Sequence, residues 1–413
     1  MLNIKNIEAE ISKNAKEYFN TNIEAKFNPS LDLNLGDFYS DYCIVLAKEY
    51  KKSVSEIYKI ISKDLSLKDY DILLIGDYIN IKLKKFIINS FDIIKPNVKT
   101  NNVEIKSVVI FIPLLKTYTK PLFYRLSFLG FLNKILFEKL GVKVEFFLGS
   151  KDYKANDLGS DTLSFSRLLE KVYDDLDARK DILEKIYDLD KLYNIELFLI
   201  HIGPSTFYQR SLPKALFKTT KARTHFALKF HSKDWGEVYK EDIDEMEDFI
   251  KSLNKNQNKS QNKNENKNEN ITALNALMYM LSTNKDFKEI NYYDATINTQ
   301  ENFIYFLNST LNRINKFFKG DASKEKDVLY EFSKDDKLRN IMLRGYTLNS
   351  VLCDTVRHGR VGDFLSYFDE LLRDVNYVLN TPSFRSKLVN GEISSKTSFV
   401  FNYIKVVFQD FLR

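Results

Sequence analysis

A run of asparagine, lysine, glutamine and glutamate from residue 254 to residue 270 divides this chain. The run reads NKNQNKSQNKNENKNEN and contains no apolar side chain, so it has nothing to bury in a core. We therefore predict a disordered, solvated linker over residues 254–270. The residues before it mix strand and helix patterns, whereas residues 271–413 carry the 3.6-residue period of amphipathic helices.

The net charge of +6 does not mark a basic surface on a folded domain. Residues 251–270 carry five lysines and two glutamates, which is half of the excess. Residues 104–250 carry 23 positive and 23 negative side chains and are neutral. A nucleic-acid partner therefore has to be argued from local clusters such as Arg357 to Arg360, because overall basicity does not support one.

Composition excludes several chemical classes. Cys43 and Cys353 lie far apart and the chain has four histidines, so we expect neither a disulfide framework nor a metal site. The phosphate-binding pattern G-x-x-x-x-G-K-[ST] does not occur. The most apolar stretch, residues 122–140, carries four charged side chains, which is too many for a membrane span. We expect a cytoplasmic protein that makes no membrane contact.

The chain outside the linker divides into three predicted domains. Residues 1–101 indicate a small α+β domain, and residues 103–253 alternate strands with helices, which is typical of a parallel α/β layer. Residues 271–413 predict an all-α helix bundle with aromatic stripes in its core. The elements predicted before the linker are helices over residues 3–19, 39–50, 53–65, 123–140 and 163–190 and strands over residues 71–83, 108–112, 142–148 and 195–202.

Several local patterns, in their order along the chain, resemble the arginyl-tRNA synthetases, which are class I aminoacyl-tRNA ligases. The patterns near the N-terminus are Leu35-Gly36-Asp37-Phe38-Tyr39, Leu46-Ala47-Lys48, Val54-Ser55-Glu56-Ile57 and Gly76-Asp77-Tyr78-Ile79-Asn80. They are similar to the family's N-terminal tRNA-contacting domain, although Asp77 stands where the family has a second glycine.

This resemblance implies that Tyr78, Asn80 and Lys82 contact the elbow of a tRNA. Their chemistry suits the role, because an aromatic ring can stack on a base, an amide can read a base edge and an ammonium can bind phosphate. The alternative interpretation is a solvated strand edge, since such edges commonly carry lysine to block aggregation.

The predicted helical domain resembles the family's anticodon-binding helix bundle. Asn302, Asn308 and Arg313 follow the spacing of a family signature helix, and Arg357 and Arg360 lie in a later matching segment. The resemblance implies RNA contacts at these five positions. It also implies that the middle domain is a reduced, Rossmann-like version of the family's catalytic domain.

Catalysis in this family depends on two signatures that hold ATP, and the first has lost its essential residues here. The family has His-x-Gly-His after Lys-Pro-Leu, whereas this chain continues from Lys120-Pro121-Leu122 into Phe123, Tyr124 and Arg125. Phenylalanine and tyrosine rings cannot replace imidazoles as partners of phosphate. A similar run, Ile200-His201-Ile202-Gly203-Pro204, comes after a later strand, and we interpret it as a strand end and turn because Gly-Pro is a turn signal.

The second signature is a mobile loop of the Lys-Met-Ser-Lys-Ser type, best matched by residues 230–236. Ser232, Lys233 and Gly236 fit this pattern, but Phe230 replaces the first lysine and Asp234 would bring negative charge to the phosphates. Another placement, Phe217-Lys218-Thr219-Thr220-Lys221, is more basic but fits the spacing less well.

Three functions remain open at this point. The chain could be a synthetase-like pseudoenzyme that binds tRNA or another RNA and needs no cofactor. It could be a divergent arginine–tRNA ligase that uses ATP and Mg²⁺, with charge from Lys120, Arg125, Lys218 and Lys233. It could also be a scaffold for a protein partner. We favour the first, because the tRNA-facing domains keep the family pattern better than the catalytic layer does.

Overall fold

A computed structural model of the chain describes residues 4–63, 65, 68–89, 99–100, 103–115, 118, 120–156, 162–175, 189, 197–202, 225–230, 303–318, 329–334 and 336–412. The chain forms two compact units, of which the first contains residues 1–95, 309–351 and 367–413 and the second contains residues 96–308 and 352–366. The first unit is therefore discontinuous in sequence, since it combines the N-terminal residues with most of the C-terminal helices. The predicted linker lies outside the described residues.

The N-terminal part of the first unit packs helices on one face of an antiparallel sheet. Apolar residues at helical spacing, Ile7 and Ile11, are buried, as are the inward-facing Ile79 and Ile81 of the sheet. The sheet order is β1-β2-β4-β3. The elements are α1 (Ile4–Phe19), β1 (Asn28–Pro29), β2 (Phe38–Ser40), α2 (Tyr42–Tyr50), α3 (Val54–Ile61), β3 (Tyr70–Ile75) and β4 (Tyr78–Leu83).

The structure corrects two of the element predictions in this region. The single strand predicted over residues 71–83 is a hairpin, because Gly76 adopts a φ of +60° and turns the chain between β3 and β4. The helix predicted over residues 39–50 begins only at Tyr42, since Tyr39 and Ser40 pair with β4 as part of β2. A capping box starts α3, with the Ser53 and Glu56 side chains each accepting from the other's backbone N–H.

The second unit contains the predicted parallel layer. Its sheet has the order β10-β9-β8-β11-β12, in which β10 alone is antiparallel to its neighbour. The described elements are β6 (Lys99–Thr100), β7 (Val103–Glu104), β8 (Ser107–Ile112), α4 (Lys120–Lys139), β9 (Lys143–Leu148), β10 (Ser150–Lys154), α5 (Thr162–Asp174), β11 (Leu197–Ile202) and β12 (His225–Phe230). Helix α4 follows β8 and lies close to the sheet at Gly130, where an added Cβ would be 2.7 Å from Ile112 Cδ1.

The C-terminal region is helical, as predicted, with one strand among its described residues. The elements are α6 (Phe303–Phe317), β13 (Leu329–Ser333), α7 (Arg339–Arg357), α8 (Val361–Asn380), α9 (Pro382–Val389) and α10 (Ser395–Leu412). Strand β13 pairs antiparallel with β5 (Lys85–Asn89), so the N-terminal and C-terminal parts of the first unit share a sheet. The aromatic stripe of α8 is core, since Phe364 and Phe368 are fully buried.

These layers confirm the predicted fold class, which combines an N-terminal α+β region, a parallel α/β layer and a C-terminal helical region. Among the described residues, no helix is long and apolar enough to cross a membrane.

Candidate nucleic-acid interface

The outer face of the N-terminal sheet carries an apolar and aromatic surface. Side chains alternate between the two faces of a strand, and the register places Leu73 beside Asn80 and Ile75 beside Tyr78. Leu73 is 52% exposed and Tyr78 is 45% exposed. The Tyr78 ring lies edge-on to Tyr39, with a distance of 6.0 Å between the ring centroids. We call Tyr39, Leu73, Ile75 and Tyr78 the sheet patch.

The three residues predicted to contact a tRNA elbow have different environments in this sheet. Tyr78 presents its ring to solvent. Asn80 is buried and its amide nitrogen donates to the Tyr78 carbonyl oxygen at 3.0 Å. The Lys82 ammonium donates to the Leu33 carbonyl oxygen at 2.7 Å and lies 3.3 Å from a carboxylate oxygen of Asp37. Of the three, Tyr78 has the side chain best placed to stack on a base, whereas Asn80 and Lys82 have partners within the protein.

The two lysines that directly follow β4 are paired with carboxylates. Lys84 lies 3.2 Å from Asp71, and Lys85 lies 2.9 Å from Glu331. The hydrogen bond from Lys85 to Glu331 raises the pKa of Lys85. Surface pairs of this kind contribute little stability, but they reduce the net positive charge that a phosphate would experience. The sheet patch is therefore suited to stacking more than to phosphate binding.

Asp37 and Arg339 form a buried ion pair that joins the N-terminal sheet to helix α7. Asp37 Oδ2 binds the Arg339 guanidinium and also accepts from the Leu83 backbone N–H at 2.7 Å. The Arg339 guanidinium also donates to the Leu83 carbonyl oxygen at 3.2 Å. Both charged side chains are nearly inaccessible to solvent. Asp37 lies in a family-like sequence pattern, but nothing in the sequence indicates this pairing, since 302 residues separate the two positions.

The residues that stand for the first ATP signature lie in the first turns of helix α4. Phe123 is fully buried, and its ring centroid lies 6.2 Å from that of Tyr173 on α5. A phenylalanine buried in this way has neither a donor nor a charge to offer a triphosphate. Tyr124 and Arg125 belong to the same helix. Ser232, Lys233 and Gly236 of the second signature lie outside the described residues.

Arg357 and Arg360, two predicted RNA contacts, share a carboxylate partner. Arg357 donates to Asp354 Oδ1 at 2.7 Å, and Arg360 donates to Asp354 Oδ2 at 2.8 Å. His358 lies 3.8 Å from the same carboxylate. The paired carboxylate offsets part of the positive charge of this cluster, which lowers its attraction for phosphate.

Arg313, another predicted RNA contact, binds amides instead. Its two terminal nitrogens donate to the side-chain oxygens of Asn376 at 2.7 Å and Asn380 at 2.9 Å. Asn308 lies on the same helix and is half-buried, whereas Asn302 lies outside the described residues. These partners do not offset the positive charge of Arg313, since an amide oxygen carries no negative charge.

The environments of the two cysteines disfavour the reactive thiolate form. Burial raises the pKa of Cys43 to about 12, and burial together with Asp354 raises the pKa of Cys353 to about 12 against the opposing effect of Arg357. A thiol with such a pKa is protonated at neutral pH and is a poor nucleophile and metal ligand. No group of three or more His, Cys, Asp or Glu side chains that could hold a metal occurs in the described part of the chain.

Comparisons with known proteins agree with the resemblance seen in the sequence. Residues 4–83 match the family described as the arginyl tRNA synthetase N terminal domain. The structure of arginyl-tRNA synthetase from Plasmodium falciparum aligns over 99% of this chain and 96% of its own, with a TM-score of 0.52 and 12% identity. No curated protein sequence matches the chain.

Two further solved structures align with this chain. Arginyl-tRNA synthetase from Thermus thermophilus aligns over 100% of this chain and 99% of its own, with a TM-score of 0.46 and 12% identity. A putative arginyl-tRNA synthetase from Campylobacter jejuni aligns over 76% of this chain and 94% of its own, with a TM-score of 0.40 and 12% identity.

The fold thus defines a mixed α/β protein whose N-terminal sheet carries an exposed aromatic patch. More particularly, its first described residues form a domain of the arginyl-tRNA synthetase N-terminal type, and the chain is arginyl-tRNA synthetase-like in fold.

Proposed function

We propose that this chain is a synthetase-like RNA-binding protein that recognises tRNA and does not aminoacylate it. The observation that carries the proposal is the burial of Phe123 where the resembled family has the first imidazole of its ATP signature. Removal of one preorganised donor from an active site already costs roughly 10²–10³ in rate, and this site lacks a whole signature. The residues present therefore do not fit an ATP site of the family type.

An exposed aromatic surface on the N-terminal domain supports the binding half of the proposal. The sheet patch lies within the domain matched at residues 4–83 and presents the Tyr78 ring to solvent. Base stacking on an aromatic side chain contributes about 1–3 kcal/mol per base, and splayed bases in RNA loops are the usual targets. Because the patch residues are uncharged and Lys82, on the same strand as Tyr78, is paired with Asp37, we expect this surface to hold bases and another surface to hold phosphates.

Two assays on the full chain test the two halves of the proposal separately. A fluorescein-labelled tRNA-Arg transcript, titrated at 50 mM KCl, should show saturable binding by anisotropy. Arginine-dependent exchange of pyrophosphate into ATP, with tRNA present, should stay at background. Absence of binding at this salt concentration would contradict RNA recognition, and exchange above background would establish the divergent ligase instead.

A further inference from the structure

Two arginines on different helices of the first unit point toward the same oxygen atom. Arg313 of α6 and Arg385 of α9 both donate to Asn380 Oδ1 of α8, at 2.9 Å and 2.7 Å. Their terminal nitrogens therefore lie within about 6 Å of one another, since each is within hydrogen-bonding distance of one atom. We call Arg313, Asn380 and Arg385 the arginine pair site.

The remaining described arginines of residues 303–412 differ from this pair, because each has a carboxylate partner. These arginines and their partners are Arg339 with Asp37, Arg344 with Glu370 and Asp374, Arg357 and Arg360 with Asp354, and Arg373 with Asp369. Arg313 and Arg385 bind only amide and carbonyl oxygens among the described residues. Two positive charges are thus held close together, and no carboxylate of the described residues pairs with either of them.

Neighbouring side chains hold the two arginines close together, although their positive charges repel each other. Asn376, which is buried, accepts from Arg313 and donates to the Leu372 carbonyl oxygen at 2.9 Å, so Arg313 is held in place. Burial and the nearby charge of Arg385 lower the pKa of Arg313. A bound anion would relieve this repulsion, and guanidinium groups match the geometry of phosphate oxygens.

Exposed aromatic rings flank the arginine pair site. Tyr377 is 70% exposed and precedes Asn380 by three positions on α8, so the two residues share one side of the helix. Phe317 is 42% exposed and follows Arg313 by four positions on α6. Proteins that bind single-stranded RNA commonly combine cations, which hold phosphates, with exposed aromatic rings, which stack on bases.

We infer that the arginine pair site binds a phosphodiester group of the RNA backbone and that Tyr377 stacks on an adjacent base. This inference rests on the proposed RNA recognition and adds to it the place where phosphate is held. The site complements the sheet patch, whose residues are uncharged.

Arg385→Gln is the variant that tests the site, because Arg385 is exposed and its replacement leaves the core untouched. Arg373→Gln is the matched control, because it removes the same charge from another exposed arginine. Arg373 lies on α8 and differs from Arg385 in forming an ion pair with Asp369 at 2.6 Å. Binding of the labelled tRNA-Arg transcript is measured for both variants and for the wild-type chain between 50 and 300 mM KCl.

We expect Arg385→Gln to weaken tRNA binding by about fivefold or more and to reduce the slope of log K against log[KCl] by about 0.7, the value for one phosphate contact on a single strand. Arg373→Gln should change affinity by less than about twofold with an unchanged slope, because its charge is already paired. Equal behaviour of the two variants would overturn the assignment of the RNA backbone to this site while leaving RNA recognition intact.

Inorganic phosphate provides a readout that does not depend on RNA. Millimolar phosphate should raise the melting temperature of the wild-type chain more than that of Arg385→Gln, since a ligand that binds only the folded state stabilises it. If the wild-type chain binds no tRNA but keeps this difference, RNA recognition fails and the anion site stands. If both the phosphate difference and the salt-slope difference are absent, the arginine pair site is overturned.

Discussion

Asp37 and Arg339 form an ion pair that is buried from solvent on both sides, at positions 302 residues apart in the chain. The pair places the loop before β2 against the start of α7, and the Leu83 backbone N–H and carbonyl oxygen each add one hydrogen bond to it. Charges taken out of water need such partners, because an isolated buried charge costs several kcal/mol. The pair therefore holds the N-terminal sheet and the C-terminal helices together as one unit.

Removal of one partner should destabilise this unit strongly. In Asp37→Asn, the Arg339 guanidinium stays buried without a counter-charge, which costs about 3–5 kcal/mol. Urea unfolding followed by circular dichroism should show this loss in the transition of the first unit. Lys13→Gln is the control, since Lys13 and Glu17 form an exposed pair at 3.8 Å that contributes less than about 1 kcal/mol.

The double variant Asp37→Asn with Arg339→Met should lose less stability than the sum of the two single variants. Removing both partners leaves no buried charge, so the penalties of the single variants do not add. Additive losses would mean that the two side chains act independently, contrary to the structure.

Tyr78→Ala should weaken tRNA binding without unfolding the domain. Loss of one stacked base corresponds to about 1–3 kcal/mol, which is roughly 5–150-fold in affinity. Tyr78→Phe should bind like the wild-type chain, because the ring is retained. Tyr18→Ala provides the control, since Tyr18 is 49% exposed on α1 of the same unit and lies outside the sheet patch. Equal effects of the two alanine variants in anisotropy titrations would contradict the role of Tyr78.

Alkaline pH should destabilise the chain partly through Cys43. Burial raises the pKa of this thiol from 9.0 to about 12 in the folded state, so the unfolded chain releases the proton first. The stabilising contribution is complete below pH 9 and is lost as the pH rises toward 12. Between pH 8 and pH 10 the loss from this one group is about 1.4 kcal/mol.

Cys43→Ala tests this dependence by comparing the free energy of unfolding at pH 8 and pH 10. The variant should be less stable than the wild-type chain at pH 8, because the smaller side chain leaves a cavity. Between pH 8 and pH 10, however, its free energy of unfolding should fall by about 1.4 kcal/mol less than that of the wild-type chain. Equal losses in both proteins would show that the Cys43 thiol ionises alike in the folded and unfolded chains.

Gly130→Ala should destabilise the parallel layer, although alanine is the better helix former by about 1 kcal/mol. The new Cβ would lie 2.7 Å from Ile112 Cδ1 and 3.0 Å from Phe146 Cε2, both on buried side chains. Overpacking of this kind typically costs about 1–3 kcal/mol. In thermal unfolding, adding Ile112→Val should restore part of the loss, because it removes the Cδ1 atom. A Gly130→Ala chain as stable as wild type would mean that α4 moves away from the sheet at no cost.

The elements that the sequence predicted best have local causes. The start of α3 follows from the Ser53–Glu56 capping box, and the apolar run of β8 indicates a strand buried on both faces. The hairpin at Gly76 was missed, because apolar residues alternate through β3 and β4 alike and only the glycine marks the turn. Strand β13 was also missed, since it is stable only when paired with β5, far away in sequence.

In the candidate site, too, some features can be predicted from the sequence and others depend on contacts between distant residues. Tyr78 and Arg313 could be selected from the family resemblance, but the partners of each side chain could not be predicted. Lys82 carries a charge that suits phosphate, yet it contacts Leu33 and Asp37. Arg385 lies in a short segment in which no family pattern was recognised. Its importance follows from the Asn380 oxygen, to which both Arg385 and Arg313 donate.

The discontinuity of the first unit has a consequence for synthesis on the ribosome. At about 5–20 residues per second, Asp37 leaves the tunnel roughly 15–60 s before Arg339 does. During that interval the nascent N-terminal sheet holds a carboxylate whose main counter-charge does not yet exist, with Lys82 as the nearby cation. The sheet therefore reaches its final stability only after nearly the whole chain has been made, which exposes its early form to chaperones and proteases.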